Sequence, residues 1–186
     1  AYGALGYQGY ENPSFLSTPG AKDVGIEFYT FSKTFNMAGW RLAFAAGNDQ
    51  MIEALNLIQD HLFVGIFPAL QEAGIAALLD PKSEEAVAQL NATYDSRRDA
   101  FVQAAAKIGW QAFPSRGSFY AWMPVPEGYT SESFADLLLE KAHVAVAPGK
   151  GFGPAGDAYV RIGLLVEPER LVEAVDRIAN LHLFNN

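Results

Sequence analysis

The sequence predicts an α/β fold in two parts joined by one long helix, and three observations predict it. Aromatic and β-branched runs alternate with apolar residues at helical spacing in the first part of the chain. One helical pattern then continues unbroken from residue 81 to Gly109. After Gly109 the chain changes to short elements in the order β-α-β-β-α. Half of the 186 residues are hydrophobic, which is enough for a substantial core.

The first part begins with irregular backbone, because glycines and prolines are frequent over residues 3–23. An aromatic run predicts a strand over residues 26–32, and a second strand follows over residues 41–46. Asn48 or Asp49 can cap a helix that extends to about residue 61. The next helix runs to residue 80, and its many alanines and leucines predict that it is buried.

In the second part, strands are predicted over residues 118–123, 144–147 and 159–165, and a capped helix over residues 131–142. A last helix begins at Pro168 and presents Leu171, Val175 and Ile178 on one face. We therefore expect three regions: residues 1–80, a connecting helix over residues 81–109, and a small domain over residues 110–186.

Composition excludes several functions. The 13 Lys and Arg residues are outnumbered by 21 Asp and Glu, and the net charge of −8 disfavours nucleic-acid binding. The absence of cysteine removes disulfides, thiolate metal sites and thiol nucleophiles, and the three histidines lack ligand spacing, so we expect no metal site. The longest apolar run, residues 62–70, is far shorter than the roughly 20 residues that span a bilayer. No signal peptide is visible, and we expect a soluble, cytoplasmic protein without membrane contacts.

Lys33 is the candidate reactive group. It lies between Phe31 and Phe35, and partial desolvation would favour the neutral amine, which can attack a carbonyl. Arg41 follows eight residues later, and a phosphorylated aldehyde would need an amine and a fixed cation of this kind. Nearby hydroxyls that could donate to its phosphate belong to Thr30, Ser32 and Thr34. By spacing alone, an ordinary solvated lysine and arginine remain the simpler interpretation.

Residues 32–43, with the sequence SKTFNMAGWRLA, closely resemble the pyridoxal-phosphate attachment motif of class I/II (fold type I) aminotransferases. Thr30 replaces the family's usual glycine or serine and keeps a hydroxyl. Residues 1–2, 117–120, 144–149 and 159–163 also resemble elements of that family. The resemblance covers essentially the whole chain, as the C-terminal half of an aminotransferase about twice as long. It implies part of the large cofactor-binding domain, with an incomplete sheet plus helices, followed by a small α+β domain.

The resemblance also implies a function: an aminotransferase that moves an amino group between an amino acid and a 2-oxo acid through a pyridoxal 5'-phosphate Schiff base. Lys33 would hold the cofactor and then act as the general base, and Arg161 would bind the substrate α-carboxylate. The remaining cofactor-binding residues would be Tyr2 at the phenolic oxygen and Thr30, Ser32 and Arg41 at the phosphate. Active sites of this family are built across a homodimer, so a homodimer is expected.

One departure concerns the family's aspartate that pairs with the pyridinium nitrogen, since its position falls before Ala1. We therefore expect the 186-residue chain alone to be inactive, to bind the cofactor weakly and to self-associate through uncovered apolar faces. Three alternatives remain: a carbon–sulfur β-lyase, a ligand-sensing domain of a transcription regulator, and a binding scaffold in which Lys33 no longer reacts. By strand alternation, Arg161 could also simply point to solvent.

Overall fold

The computed structural model describes residues 1–113 and 115–184. The chain divides into two compact units, Ala1–Asn91 and Ala92–Asn186, and the boundary in the sequence falls within its longest helix. The division at residues 80 and 109 expected from the sequence stays a prediction. No helix in the described part of the chain is long and apolar enough to cross a membrane.

The first unit contains a short helix α1 (Ala21–Val24) and a two-stranded antiparallel sheet of β1 (Ile26–Thr30) and β2 (Ala43–Gly47). Between the strands lie the one-turn helix α2 (Phe31–Thr34) and a 3-10 turn, Ala38–Trp40. The strand predicted over residues 26–32 therefore ends two residues early. The hydroxyl of Thr30 accepts a hydrogen bond from the Ser32 N–H, which starts a helical turn in place of further strand.

Two further helices follow in the first unit, α3 (Asp49–Leu62) and α4 (Pro68–Leu79). Asn48, one of the two caps that the sequence allows, caps α3 by accepting from the Met51 N–H. The prediction that α4 is buried is wrong, because Gly74 is its only buried residue and Leu79 is 75% exposed.

The longest helix, α5 (Ser83–Lys107), ends before Gly109, whose φ of 81° is the left-handed conformation predicted for this stop. Its C-terminal half contributes Phe101, Ala104 and Ala105 to the core of the second unit. The sequence thus predicted both ends of this helix to within a few residues.

The second unit has a three-stranded antiparallel sheet in the order β3-β5-β4, formed by β3 (Tyr120–Pro124), β4 (Ala147–Pro148) and β5 (Tyr159–Gly163). Helix α6 (Ser131–Leu137) continues as a π-helical turn, Leu138–Ala142, and α7 (Pro168–Ala179) completes the predicted β-α-β-β-α order. The core lies on one face of the sheet, where Met123 and Val160 pack with Trp110, Phe134 and Ile178. The opposite face carries the other strand side chains, among them that of Arg161.

Candidate functional site

Lys33 is held in the single turn of α2, where it is the third residue and is half-buried. The Thr30 hydroxyl lies 2.8 Å from the Ser32 hydroxyl and accepts from the Ser32 N–H at 3.1 Å. The Phe31 N–H donates to the Leu42 carbonyl at 3.2 Å, which anchors the turn to the chain entering β2. The lysine thus lies three residues after β1, in a turn whose start is fixed by these bonds, whereas the sequence pattern continued the strand to residue 32, directly before the lysine.

Arg41 follows the 3-10 turn and precedes β2, so the prediction that it begins the second strand is wrong. It has a left-handed φ of 53°, a conformation that costs a non-glycine residue about 1 kcal/mol or more. Its guanidinium donates to the Ala38 carbonyl at 3.0 Å and is otherwise exposed. Because Thr30 pairs with Ala43 in the antiparallel register, α2 and Arg41 lie at the same end of the β1–β2 ladder. The turn that carries Lys33, with the hydroxyls of Thr30 and Ser32, therefore lies at the same end of the ladder as Arg41.

Phe31 and Phe35 form a tightly packed aromatic floor at the α2 turn. Phe31 is 3% exposed, and its ring centroid lies 5.6 Å from that of Phe35. A Cβ added to Gly74 of α4 would come within 2.7 Å of the Leu42 side chain, so α4 lies directly against this floor. Thr34 is buried and its hydroxyl accepts from the Tyr29 hydroxyl at 2.9 Å, which corrects the expectation that Thr34 serves as an anion donor.

Tyr2 is half-buried in a turn at the start of the chain. Its carbonyl accepts from the Leu5 N–H at 2.9 Å and from the Asn12 side-chain amide at 3.0 Å. The carbonyl of Ala4 accepts from the Asn91 amide at 2.7 Å, which ties the turn to α5. The backbone around Tyr2 is therefore fixed within the first unit.

Arg161 lies in the second unit, at the middle of β5, where it is paired with Trp122 on β3 and Ala147 on β4. The carbon at the centre of its guanidinium is 4.1 Å from the ring centroid of Tyr120 and 4.2 Å from that of Phe152. Arg161 therefore does not simply extend into solvent. Within residues 1–113 and 115–184, no carboxylate forms an ion pair with it.

The sequence interpretation missed the two aromatic neighbours of Arg161. Strand alternation places Tyr120 on the same face of β3 as Trp122, the residue opposite Arg161, but the register was needed to bring them together. Phe152 comes from a 3-10 turn, Gly149–Phe152, and strand periodicity carries no signal for it.

The donor set of the first unit fits pyridoxal phosphate. Two hydroxyls and a guanidinium without a carboxylate partner in the described residues suit a phosphate, and the primary amine of Lys33, in the same turn as Ser32, suits an aldehyde. The residues that could hold the group are Lys33, Thr30, Ser32 and Arg41. Residues 1–113 and 115–184 contain no cluster of three metal-ligating side chains.

Comparison with known proteins agrees with this donor set. A family model described as aminotransferase class I and II matches residues 1–178. The chain is 60% identical over 184 residues to the L-glutamine--4-(methylsulfanyl)-2-oxobutanoate aminotransferase of Bacillus subtilis (strain 168), covering 99% of this chain and 46% of that protein. It is 48% identical over 178 residues to the LL-diaminopimelate aminotransferase of Moorella thermoacetica (strain ATCC 39073 / JCM 9320), covering 96% of this chain and 45% of the relative.

Solved structures give the same result. The apo-BacF structure from Bacillus subtilis superposes with a TM-score of 0.93 at 46% identity, over 100% of this chain and 47% of that one. An aminotransferase structure from Staphylococcus aureus superposes with a TM-score of 0.91 at 40% identity, over 100% of this chain and 49% of that one. The chain spans about half the length of the curated relatives it matches. The motif around Lys33, the predicted α/β fold and these matches agree, and the chain belongs to the class I and II aminotransferase family.

Proposed function

We propose that this chain carries the reactive lysine of a pyridoxal-phosphate-dependent aminotransferase, and that the activity belongs to a protein of about twice its length. The observation that supports the proposal is the α2 turn: Lys33 follows Ser32 in it, the Ser32 and Thr30 hydroxyls are 2.8 Å apart, and the turn lies at the same ladder end as Arg41. Membership of the family supports it, as do the aminotransferase relatives.

Lys33 has two roles in the proposal. Its amine would hold the cofactor through the cofactor's aldehyde, and the same amine, once free, would take a proton from the substrate α-carbon. When bound, pyridoxal phosphate supplies the aldehyde that accepts the amino group and a ring that delocalises the electrons of the α-carbon. The half-buried position of Lys33 limits its access to water, which favours both roles.

Three side chains bind the cofactor phosphate in the proposal: Thr30, Ser32 and Arg41. The Thr30 and Ser32 hydroxyls are oriented by their mutual hydrogen bond and by the α2 cap. The Arg41 guanidinium is anchored by one bond to the Ala38 carbonyl, and its other N–H groups can donate to phosphate oxygens. The hydroxyl of Tyr2, whose backbone is fixed, donates to the phenolic oxygen of the cofactor ring.

Arg161 binds the substrate α-carboxylate in the proposal. A planar guanidinium recognises a carboxylate with two parallel hydrogen bonds, which fixes the orientation of the substrate. The aromatic contacts of Arg161 leave its N–H groups available for this pairing.

We propose L-glutamine as the amino donor and 4-(methylsulfanyl)-2-oxobutanoate as the acceptor. The support is the 60% identity, over 99% of this chain, with the Bacillus subtilis relative that is named for these substrates.

We also propose a homodimer in the cytoplasm. The first unit exposes many large apolar side chains, among them Leu62, Phe63 and Val64 at 70–89% exposure. Such an extended apolar surface is typical of a protein interface. Alone, the 186-residue chain is expected to be inactive and to self-associate, which light scattering and an activity assay can measure. A clean monomer at high concentration would contradict the second expectation.

The experiment that tests the proposed function assays the intact protein with L-glutamine and 4-(methylsulfanyl)-2-oxobutanoate. Wild type and the control Lys22→Ala, which changes an exposed lysine of α1, should form methionine. Lys33→Ala should lose at least about 10³-fold in turnover because it removes the general base and the covalent anchor. Full turnover by Lys33→Ala would refute the proposal. In a second assay with an S-alkylcysteine, release of a thiol, ammonia and pyruvate without amino-group exchange would identify a lyase.

A further inference from the structure

The surroundings of Arg161 contain a second feature, its two aromatic neighbours. Tyr120 and Phe152 reach the guanidinium from different elements, β3 and the Gly149–Phe152 turn, at 4.1 and 4.2 Å. Ring faces attract a cation but do not accept the in-plane hydrogen bonds of its N–H groups. These contacts therefore restrain the guanidinium without occupying the donors that a carboxylate needs.

The position of Phe152 depends on its turn, because the side chain itself is 53% exposed. The Lys150 N–H in this turn donates to the Ser131 hydroxyl at 3.3 Å, and that hydroxyl donates to a carboxylate oxygen of Asp157 at 2.8 Å. Ser131 is completely buried. A buried serine and an aspartate thus fix the backbone that carries the ring.

The same turn is also fixed by close backbone packing. A Cβ added to Gly149 would come within 2.2 Å of the Gly156 carbonyl oxygen, in the 3-10 turn Pro154–Ala158. The ring of Phe152 in addition lies 5.8 Å from that of Trp122, the strand partner of Arg161. The turn therefore holds Phe152 in one place although half of the side chain faces solvent.

We propose that Phe152, together with Tyr120, is a positioning residue for Arg161, orienting the guanidinium so that its N–H groups face the substrate carboxylate. The proposal rests on the carboxylate-binding role of Arg161 in the proposed function. Without the Phe152 ring the long arginine side chain samples more rotamers, and ordering it again on binding costs free energy. Phe152 accordingly acts on ligands that carry a carboxylate and not on ligands that lack it.

The experiment uses the intact protein and two unreactive probes measured by calorimetry. One is 4-(methylsulfanyl)butanoate, which keeps the carboxylate, and the other is 4-(methylsulfanyl)butan-1-ol, which lacks it. For Phe152→Leu we expect the dissociation constant of the carboxylate probe to rise about three- to fivefold, the range of a partly exposed cation–π contact. The alcohol probe should bind Phe152→Leu as it binds wild type, within about 1.5-fold by the same reasoning.

Two further variants separate positioning from general damage. Phe152→Tyr keeps a ring and should restore wild-type binding of the carboxylate probe. Phe113→Leu is the matched control, since Phe113 is 55% exposed and packs on the Tyr159 ring at 5.6 Å without contacting Arg161. In steady-state kinetics, Phe152→Leu should raise KM for the amino acid more than it lowers kcat.

The outcomes distinguish this proposal from the proposed function. In one outcome, Arg161→Lys weakens binding of the carboxylate probe roughly tenfold or more, whereas Phe152→Leu leaves both its Kd and the KM for the amino acid unchanged. The positioning role is then overturned and the role of Arg161 stands. If Arg161→Lys changes neither value, the role of Arg161 in the proposed function fails. If Phe152→Leu loses the same affinity for both probes, the substitution has damaged the site generally, and the positioning role is also overturned.

Discussion

The Thr30 hydroxyl supports the turn that carries Lys33, and replacing it with valine tests this support directly. Thr30→Val keeps the shape of the side chain and suits the extended backbone at φ −105° and ψ 139°. It removes the acceptor for the Ser32 N–H at 3.1 Å and the bond to the Ser32 hydroxyl at 2.8 Å. Loss of a threonine cap costs about 1 kcal/mol, and a solvent-accessible hydroxyl bond contributes up to about 1 kcal/mol more.

A loss of about 1–2 kcal/mol corresponds to roughly 5- to 30-fold faster local opening of α2. Amide hydrogen exchange of the intact protein, read at Ser32 and Phe35, measures that opening. The control Thr30→Ser keeps the hydroxyl and should exchange within about twofold of wild type. Exchange in α2 that is equally fast in wild type and Thr30→Val would refute the role of the cap.

Three further predictions concern the fold. Trp110 is 1% exposed, and its indole N–H donates at 2.8 Å to a carbonyl of β3. Trp110→Phe removes this donor and should lower the free energy of unfolding, measured with denaturant, by about 2–3 kcal/mol. A loss below about 0.5 kcal/mol would contradict this. Gly149→Ala should lower the free energy of unfolding by about 1–3 kcal/mol, because the added Cβ meets a backbone oxygen. The control Gly151→Ala has open space around it and should lose less than about 1 kcal/mol. Equal melting temperatures of the two variants would refute the close approach at Gly149. The Ser14 hydroxyl, and then backbone N–H groups, lower the pKa of Glu27 below its ordinary 4.5. The carboxylate therefore contributes stability above pH 4.5 that is lost as the pH falls through the lowered pKa, and Ser14→Ala should raise this pKa in an NMR titration.

Local signals explain which helices could be predicted from the sequence. The cap at Asn48 and the apolar face of Leu171, Val175 and Ile178 act over a few residues, so pattern and structure agree there. The order of elements in the second unit followed for the same reason. Burial of α4 could not be predicted, because it depends on which other parts of the protein cover that helix.

The end of β1 was predicted two residues too late, for a different reason. Threonine suits a strand and also caps a helix, and the residues after Thr30 are aromatic, so the pattern favours continued strand. In the structure the hydroxyl of Thr30 accepts a hydrogen bond from the Ser32 N–H, and a helical turn forms in place of further strand. The identity of the candidate residues around Lys33 came from motif resemblance, whereas their geometry needed the fold.

The aromatic neighbours of Arg161 could not be predicted from the sequence for a third reason. Tyr120 and Phe152 are separated by 32 positions in the chain, and both reach Arg161 through the β3–β5 register and the Gly149–Phe152 turn. No local pattern predicts contacts of this range, which depend on strand pairing and on the position of that turn.

The central claim is that the Lys33 amine binds the aldehyde of pyridoxal phosphate. The most direct measurement incubates the intact protein with the cofactor, reduces it with borohydride and maps the labelled peptide by mass spectrometry. We predict a pyridoxyl group on Lys33 and its absence from Lys33→Ala. A label on any other lysine, or no label on a protein that turns over substrate, would contradict the account.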